Sequence, residues 1–179
     1  FEGIGTSYEV TSAGNCAIRD PIPEMYDGKI PLALNYLQYG NSEMCGACVM
    51  GKGTSENSPT TGTFEGYIMD RCRECNHGDL DFKMSGNEWE TEWEIEWEFV
   101  ECDGGKPTFL FEGSNSYYIK VQPRGMSAPA KKVKIDGIKG TRTQDNFFEV
   151  HNGDGFPEEF KIKVKTRDGN KYKSKISLP

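Results

Sequence analysis

The segment DRCRECNHGDLDF, Asp70 to Phe82, sets the carboxylates Asp70 and Asp81, a short C-x-x-C loop and a glycine turn within thirteen residues. Carboxyl groups that share a cleft raise one another's pKa, which holds one of them ready as a proton donor near neutral pH. Asp is also a common turn and capping residue, so the same pattern suits a purely architectural loop. The preceding FEGYIMD, Phe64 to Asp70, alternates apolar residues as a strand does. Asp70 is therefore expected at a strand end, with Cys72 to Gly78 forming the turn that returns Asp81 to the sheet.

The elements that must hold these acids are short. The 179 residues suit one domain or two small ones, and 21 glycines with brief apolar runs predict a many-stranded, loop-rich protein rather than a helical bundle. No run approaches the ~18 apolar residues that a membrane-crossing helix needs. The chain opens directly on Phe1, as a processed or trimmed protein would.

All six cysteines, Cys16, Cys45, Cys48, Cys72, Cys75 and Cys102, lie in the first 102 residues. The paired spacing of C-G-A-C and C-R-E-C also suits zinc. A four-cysteine zinc site would leave Cys16 and Cys102 without a role, whereas three disulfides use every sulfur. Disulfides imply an oxidising compartment, hence secretion. Charge divides at the same place: residues 1–104 carry a net −14 and residues 105–179 a net +7. Between them DGGKP, Asp103 to Pro107, reads as a brief, fairly stiff connector between two modules, 1–104 and 105–179. A basic module beside an acidic one either docks on its neighbour or meets an acidic surface.

In the first module GIGTSYEV, NCAIRD, CGACVMGK, TFEGYIMD and EIEWEFVEC are strand candidates. One helix is expected over Lys29 to Gly40, from the spacing of Leu34, Leu37 and Gln38 and a terminal glycine. Six or so strands with one helix predict a small closed barrel. Trp89, Trp93 and Trp97 recur every four residues, but odd positions are apolar or Thr and even ones Glu from Trp89 to Phe99, so a long strand is expected. The indoles either face the core or stack on sugar rings, in which case Trp89 and Trp93 are the candidates. The second module reads as a β-sandwich built from TFLFEG, SYYIKVQP, KKVKID, NFFEV, EFKIKVKT and KYKSKISL. Phe160, Ile162 and Val164 should point inward, leaving Lys161, Lys163 and Lys165 as an outward basic stripe. Tyr117 and Tyr118 are adjacent on a strand, so a bulge is needed to expose both; rings laid on a sheet surface bind glucans.

Taken together, these segments resemble the expansins, in particular the microbial expansin-like proteins, over nearly the full length. EGIGTSYEV resembles the family's opening strand, NCAIRDPIP its second, CGAC its Cys-Gly-x-Cys segment, MDRCRECNHGDLDF its strand, turn and acid loop, and EGSNSYYIKVQPRG the start of its binding sandwich. The resemblance implies a mainly β protein: a six-stranded double-psi β-barrel, related to inverting endoglucanases, followed by an immunoglobulin-like β-sandwich that binds cellulose. It further implies that Asp81 is the acid needed for wall loosening, Asp70 the second cleft carboxylate, and Thr6 and Tyr8 groove residues, with Asp79 beside them. Tyr117 and Tyr118 match two platform aromatics; Asp145 stands where a third is expected, with Phe147 and Phe148 close by, of which Phe147 is the platform candidate. The implied disulfides are Cys16–Cys45, Cys48–Cys102 and Cys72–Cys75.

An inverting glycosidase needs an acid and a base about 6.5–9.5 Å apart. The position of the endoglucanase base is Val10 here, and Glu9 is turned to the opposite face by strand alternation, which leaves Asp70 and Asp79 as substitutes. The expected function is thus non-hydrolytic loosening of plant-type wall polysaccharides by a secreted, monomeric, cofactor-free protein. A hydrolysing endoglucanase and a lectin-like module are the alternatives. Cellulose, mixed-linkage or xyloglucan-type glucans are the expected partners, with acidic wall polymers added by the lysine stripe. Nucleic acid, membrane and metal are not expected.

Overall fold

The computed structural model describes residues 1–9, 12–56, 58–60, 62–84 and 92–179. The fold is mainly β and divides into two compact units, Phe1–Cys102 and Asp103–Pro179. Among the described residues no helix is long and apolar enough to cross a membrane.

The first unit holds β1 (Glu2–Tyr8), β2 (Ile30–Asn35), α1 (Tyr36–Tyr39), β3 (Cys48–Gly53), β4 (Thr63–Cys72), β5 (Leu80–Lys83) and β6 (Trp93–Val100). The strands close a barrel in the order β1-β5-β2-β4-β3-β6, with β1/β5 and β2/β4 parallel and the other pairs antiparallel. Along β6, Trp93, Ile95 and Trp97 are buried and Glu94, Glu96 and Glu98 exposed, the period-two pattern of a strand with one wet face. The face carrying Trp93 is therefore closed to sugars, contrary to one sequence expectation; Trp89 lies outside the described residues. Each buried indole withdraws about 200 Å² from water, at most about 5 kcal/mol of stabilisation. Glycine makes room for Trp93: a Cβ on Gly5 would lie 2.5 Å from its ring.

Two expected elements differ. Lys29 to Gly40 is not one helix, because Ile30–Asn35 pairs on both sides, with β4 and β5, and this pairing overrides the helical spacing. Only the single turn α1 remains, capped by the Asn35 side chain, which accepts from the Gln38 N–H at 3.0 Å, and closed by Gly40 in the left-handed region. NCAIRD is a turn and loop rather than a strand. Its backbone is instead tied down by the Cys16 N–H donating to the Met69 carbonyl at 3.0 Å and by the Cys16–Cys45 disulfide. Cys48–Cys102 and Cys72–Cys75 are the other two bridges. No cysteine is left free.

The second unit holds β7 (Thr108–Phe111), β8 (Tyr118–Arg124), β9 (Ala130–Ile135), β10 (Ile138–Lys139), β11 (Thr141–Arg142), β12 (Phe148–His151), β13 (Glu159–Thr166) and β14 (Lys171–Ser177). They form two four-stranded sheets, β10-β9-β13-β14 and β11-β12-β8-β7. Both sheets feed one core, which joins Ile119, Val121 and Val150 to Val133, Ile162 and Val164. Lys161, Lys163 and Lys165 alternate with buried residues on β13 and are exposed.

Candidate functional site

The parallel register of β1 and β5 sets Thr6 opposite Asp81. Alternation sends Leu80 and Phe82 into the barrel core and leaves Asp81 half-buried on the other face. There the Thr6 Oγ1 hydroxyl donates to Asp81 Oδ1 at 2.8 Å. Among the described residues nothing donates to Oδ2. With Ile4, Tyr8, Asp79 and the Cys72–Cys75 disulfide, the pair lines an open cleft of about 430 Å³. Burial pushes the Asp81 carboxyl above the usual carboxylate range; the Thr6 hydrogen bond opposes this, and the charges of Glu74 and Asp70 reinforce it. The mutual influence expected of the two acids is thus present at Asp81 as a minor contribution, with desolvation the leading one.

Asp70 is buried near the end of β4 and is held by the loop that replaced the expected second strand. Its Oδ1 accepts from the backbone N–H of Asn15 at 2.8 Å, from Asn15 Nδ2 at 2.6 Å and from its neighbour Arg71 N–H at 2.8 Å. The Tyr8 hydroxyl faces Oδ2 at 3.5 Å, a long contact. Burial, followed by the negative charges of Asp70 and Asp81, holds the Tyr8 phenol well above its ordinary pKa, so it remains a neutral donor. Asp79 has both oxygens engaged by backbone: Ile4 N–H donates to Oδ1 at 2.8 Å and Asn76 N–H to Oδ2 at 2.7 Å.

The turn carrying these acids is pinned from three sides. Cys72–Cys75 ties it to the strand bearing Asp70, Gly78 N–H donates to Gln38 Oε1 at 3.0 Å, and Trp97 Nε1 donates to the Gly78 carbonyl at 2.7 Å. Gly78 has φ +95, and a Cβ there would lie 2.1 Å from the Glu2 carbonyl oxygen, so no other residue fits. Thr6, Tyr8, Asp79 and Asp81 therefore line one cleft, and Asp70, buried behind them, meets it through the long contact with Tyr8. Asn15 and Gln38, which support it, and Glu74 and Glu92, which line it, went unnoticed in the sequence. Glu74 belongs to the acid-bearing turn itself, whereas Asn15, Gln38 and Glu92 are brought near by long-range pairing that no local spacing signals. Val10, the position of the absent base, lies outside the described residues. A second hollow of about 420 Å³, between Phe1, Met50, Thr63 and Trp97, has its carboxylates Glu2, Glu96 and Glu98 exposed and Glu96 paired with Lys52 at 3.2 Å. It offers no buried acid.

On the second unit, Tyr117 is exposed in the turn before β8 and Tyr118 opens that strand, so no bulge is needed to present both. The Tyr118 hydroxyl donates to Glu149 Oε1 at 2.8 Å and its ring lies 4.9 Å from that of His151. Phe147 is a correction: it is fully buried, with the Lys120 ammonium 4.6 Å above its ring, and cannot serve as a platform aromatic. Lys120 is in turn clamped by Glu112 at 2.7 Å and Asp145 at 2.8 Å. Asp145 thus completes an ion-pair network on this face rather than leaving a gap. The face offers Tyr117, part of Tyr118 and a charge-balanced polar surround.

No protein-family model and no curated protein matches this chain. Solved structures do. A single-site mutant of Clavibacter michiganensis expansin in complex with cellohexaose superposes with a TM-score of 0.79 at 18% identity, covering 99% of this chain and 90% of that one. The apo form of Clavibacter michiganensis expansin gives 0.75 at 21% identity with the same coverages. Through both units, over 99% of its length, this chain has the fold of an expansin.

Proposed function

We propose that the chain is a microbial expansin-like protein that binds wall glucans and loosens them without hydrolysis. In this reading 1–104 is a double-psi β-barrel whose groove holds a glucan chain, and 105–179 is an immunoglobulin-like β-sandwich that binds cellulose. The observation that carries it is the Thr6–Asp81 pair: a half-buried carboxyl with raised pKa, hydrogen-bonded on one oxygen, in an open cleft. Such a group can hydrogen-bond a sugar hydroxyl or glycosidic oxygen, with Tyr8 donating beside it and Asp70 and Asp79 fixing the walls. Loosening then follows from binding a detached or twisted chain better than a packed one, since only differential affinity shifts such an equilibrium. The cellohexaose complex formed by the Clavibacter protein supports a glucan ligand. Mixed-linkage and xyloglucan-type chains share its backbone chemistry, and the exposed lysines of β13 add acidic wall polymers. Three disulfides fit a secreted protein. A monomer suffices, because groove and tyrosines belong to one chain.

Against hydrolysis stands the state of the candidate bases. Both oxygens of Asp79 and one of Asp70 are committed to N–H donors, which leaves Asp70 Oδ2, facing Tyr8, as the acceptor to consider. The raised pKa of Asp81 does suit a general acid and keeps an endoglucanase as the second reading. The test is reducing-end release from amorphous cellulose and mixed-linkage glucan, run beside a mechanical assay of wall creep. Asp81→Asn should abolish creep and leave pelleting with cellulose within about twofold, with no release from either protein. Release that Asp81→Asn abolishes would make the chain a glycosidase. Unchanged creep in Asp81→Asn would remove Asp81 from the mechanism.

A further inference from the structure

Two neighbouring side chains of α1 stand out from the barrel with no part in its core. Tyr36 is 58% exposed, as open as Tyr117 of the second unit at 59%, and Leu37 is 71% exposed, whereas Tyr39 is buried. Tyr36 is nevertheless held in place. The Arg71 guanidinium carbon lies 5.6 Å from the centre of its ring and 5.8 Å from that of Tyr39, so one cation serves both rings. Among the described residues Arg71 meets no carboxylate, its buried Nε has no hydrogen-bond partner, and its terminal N–H groups donate to nothing. A half-buried guanidinium of this kind gains from any ligand that offers it oxygen acceptors. A tyrosine ring backed by a cation on one face and open on the other has already lost the rotamer freedom that stacking on a ligand would remove.

The strand register sets this pair beside the acid groove. Ala33 on β2 is opposite Asp81, Asn35 is opposite Cys72, which lines the cleft, and Tyr36 is the next residue. At about 3.3 Å per residue and about 4.8 Å between strands, the Tyr36 backbone stands about 11 Å from that of Asp81, about two glucosyl residues of an extended β-glucan. The same helical turn supports the acid loop through Gln38 Oε1, so ring and acid share one support. We infer that Tyr36 and Arg71 form a second sugar-binding position of the barrel. The open face of the Tyr36 ring stacks on a glucosyl residue two along from the one at Asp81, Leu37 extends the apolar surface, and the Arg71 terminal N–H groups donate to the sugar hydroxyls. A pyranose suits the ring because its axial C–H groups meet the negative π face. The inference rests on the glucan reading of the groove given above.

The experiment uses the whole chain carrying Tyr117→Ala, which weakens the second unit's hold on sugar and leaves the groove to be read. Affinity is measured by titration calorimetry for cellotriose through cellohexaose, with a thermal midpoint taken for every variant. Affinity is expected to climb at least tenfold across that series. Adding Tyr36→Ala should remove the climb, about a tenfold loss at cellohexaose, and leave both the cellotriose affinity and the thermal midpoint unchanged. Tyr36→Phe should keep the climb, because the stack and not the hydroxyl supplies it. Arg71→Met, which keeps bulk and removes the donors, should lose at least threefold at cellohexaose and nothing at cellotriose. A climb undiminished in Tyr36→Ala would overturn the second position and leave the groove standing. So would a series with no climb to begin with, or an equal loss at every chain length, which marks a local change in fold. A Tyr117→Ala protein that takes up no cello-oligosaccharide at all would instead sink the groove reading, and this position with it.

Discussion

Asp81 is held in a balance that can be tested by titration. Its folded-state pKa lies above the ordinary value because burial disfavours the charged form, with Glu74 and Asp70 adding to burial and Thr6 opposing it. The folded protein therefore binds this proton more tightly than the unfolded chain, and stability falls as pH rises from the ordinary carboxylate value through the raised one. Asp81→Asn removes that loss. Its thermal midpoint should equal the parent's at pH 3, exceed it increasingly as pH rises, and keep the full advantage at neutral pH; equal midpoints at pH 7 would contradict the desolvated carboxyl. Thr6→Val acts in the opposite direction. It removes a hydrogen bond to the charged form, of the order of 1.5 kcal/mol, so the variant should be destabilised by about that much at neutral pH and by less where Asp81 is protonated. Chemical denaturation at the two pH values decides it. Asp81 was singled out from the spacing of its own segment, Thr6 only through the resemblance to a family. Thr6 and Asp81 stand 75 residues apart, and nothing in either local segment announces the parallel register that joins them. Phe147 shows the limit: its type and position suit a platform, but Lys120 lies across it.

Strands with one wet face were the most legible elements. β6 and β13 declare themselves by strict alternation of apolar with charged residues, because each such strand has one face in the core. β2 was not legible, since a strand paired on both sides and buried from Leu32 to Asn35 carries no alternation to read. The acid-bearing turn was legible as a turn, with its Cys72–Cys75 bridge implied by the family resemblance, but the Gln38 and Trp97 hydrogen bonds that also fix it were not. Those supports make the short Cys72–Cys75 bridge a local device. A cross-link spanning three residues constrains the unfolded chain little, about 2 kcal/mol, against about 4 kcal/mol for Cys48–Cys102 with its separation of 54. Replacing Cys72 and Cys75 by Ser should therefore leave a folded barrel with reduced creep activity, whereas replacing Cys48 and Cys102 should cost about twice as much stability. Denaturant midpoints of the two double variants, read beside creep, separate the cases. Gly78→Ala should exceed the first of them, because a left-handed φ and a 2.1 Å approach to backbone leave no relaxed position for a Cβ. A loss under about 1 kcal/mol would show that the turn can move.

For the molecule as a whole, the charge division was the clearest signal in the sequence. The division read between 1–104 and 105–179 falls within two residues of that between the compact units Phe1–Cys102, at −13, and Asp103–Pro179, at +6, which have separate cores, and the surplus lysines of the second collect on one sheet rather than dispersing. The clustering was only partly legible: β13 alone suggested a stripe, while the registers with β9, β10 and β14 that make it a lattice are tertiary.

The confinement of every disulfide to the first unit also divides the fates of the two halves under thiol reductant. The barrel depends on three cross-links and the second unit on none. A reduced preparation should therefore lose creep activity while still adhering to polymer. Adhesion measured in a reducing buffer would then describe a protein that looks intact and has lost its groove, so only assays that exclude reductant can judge whether binding and loosening belong together.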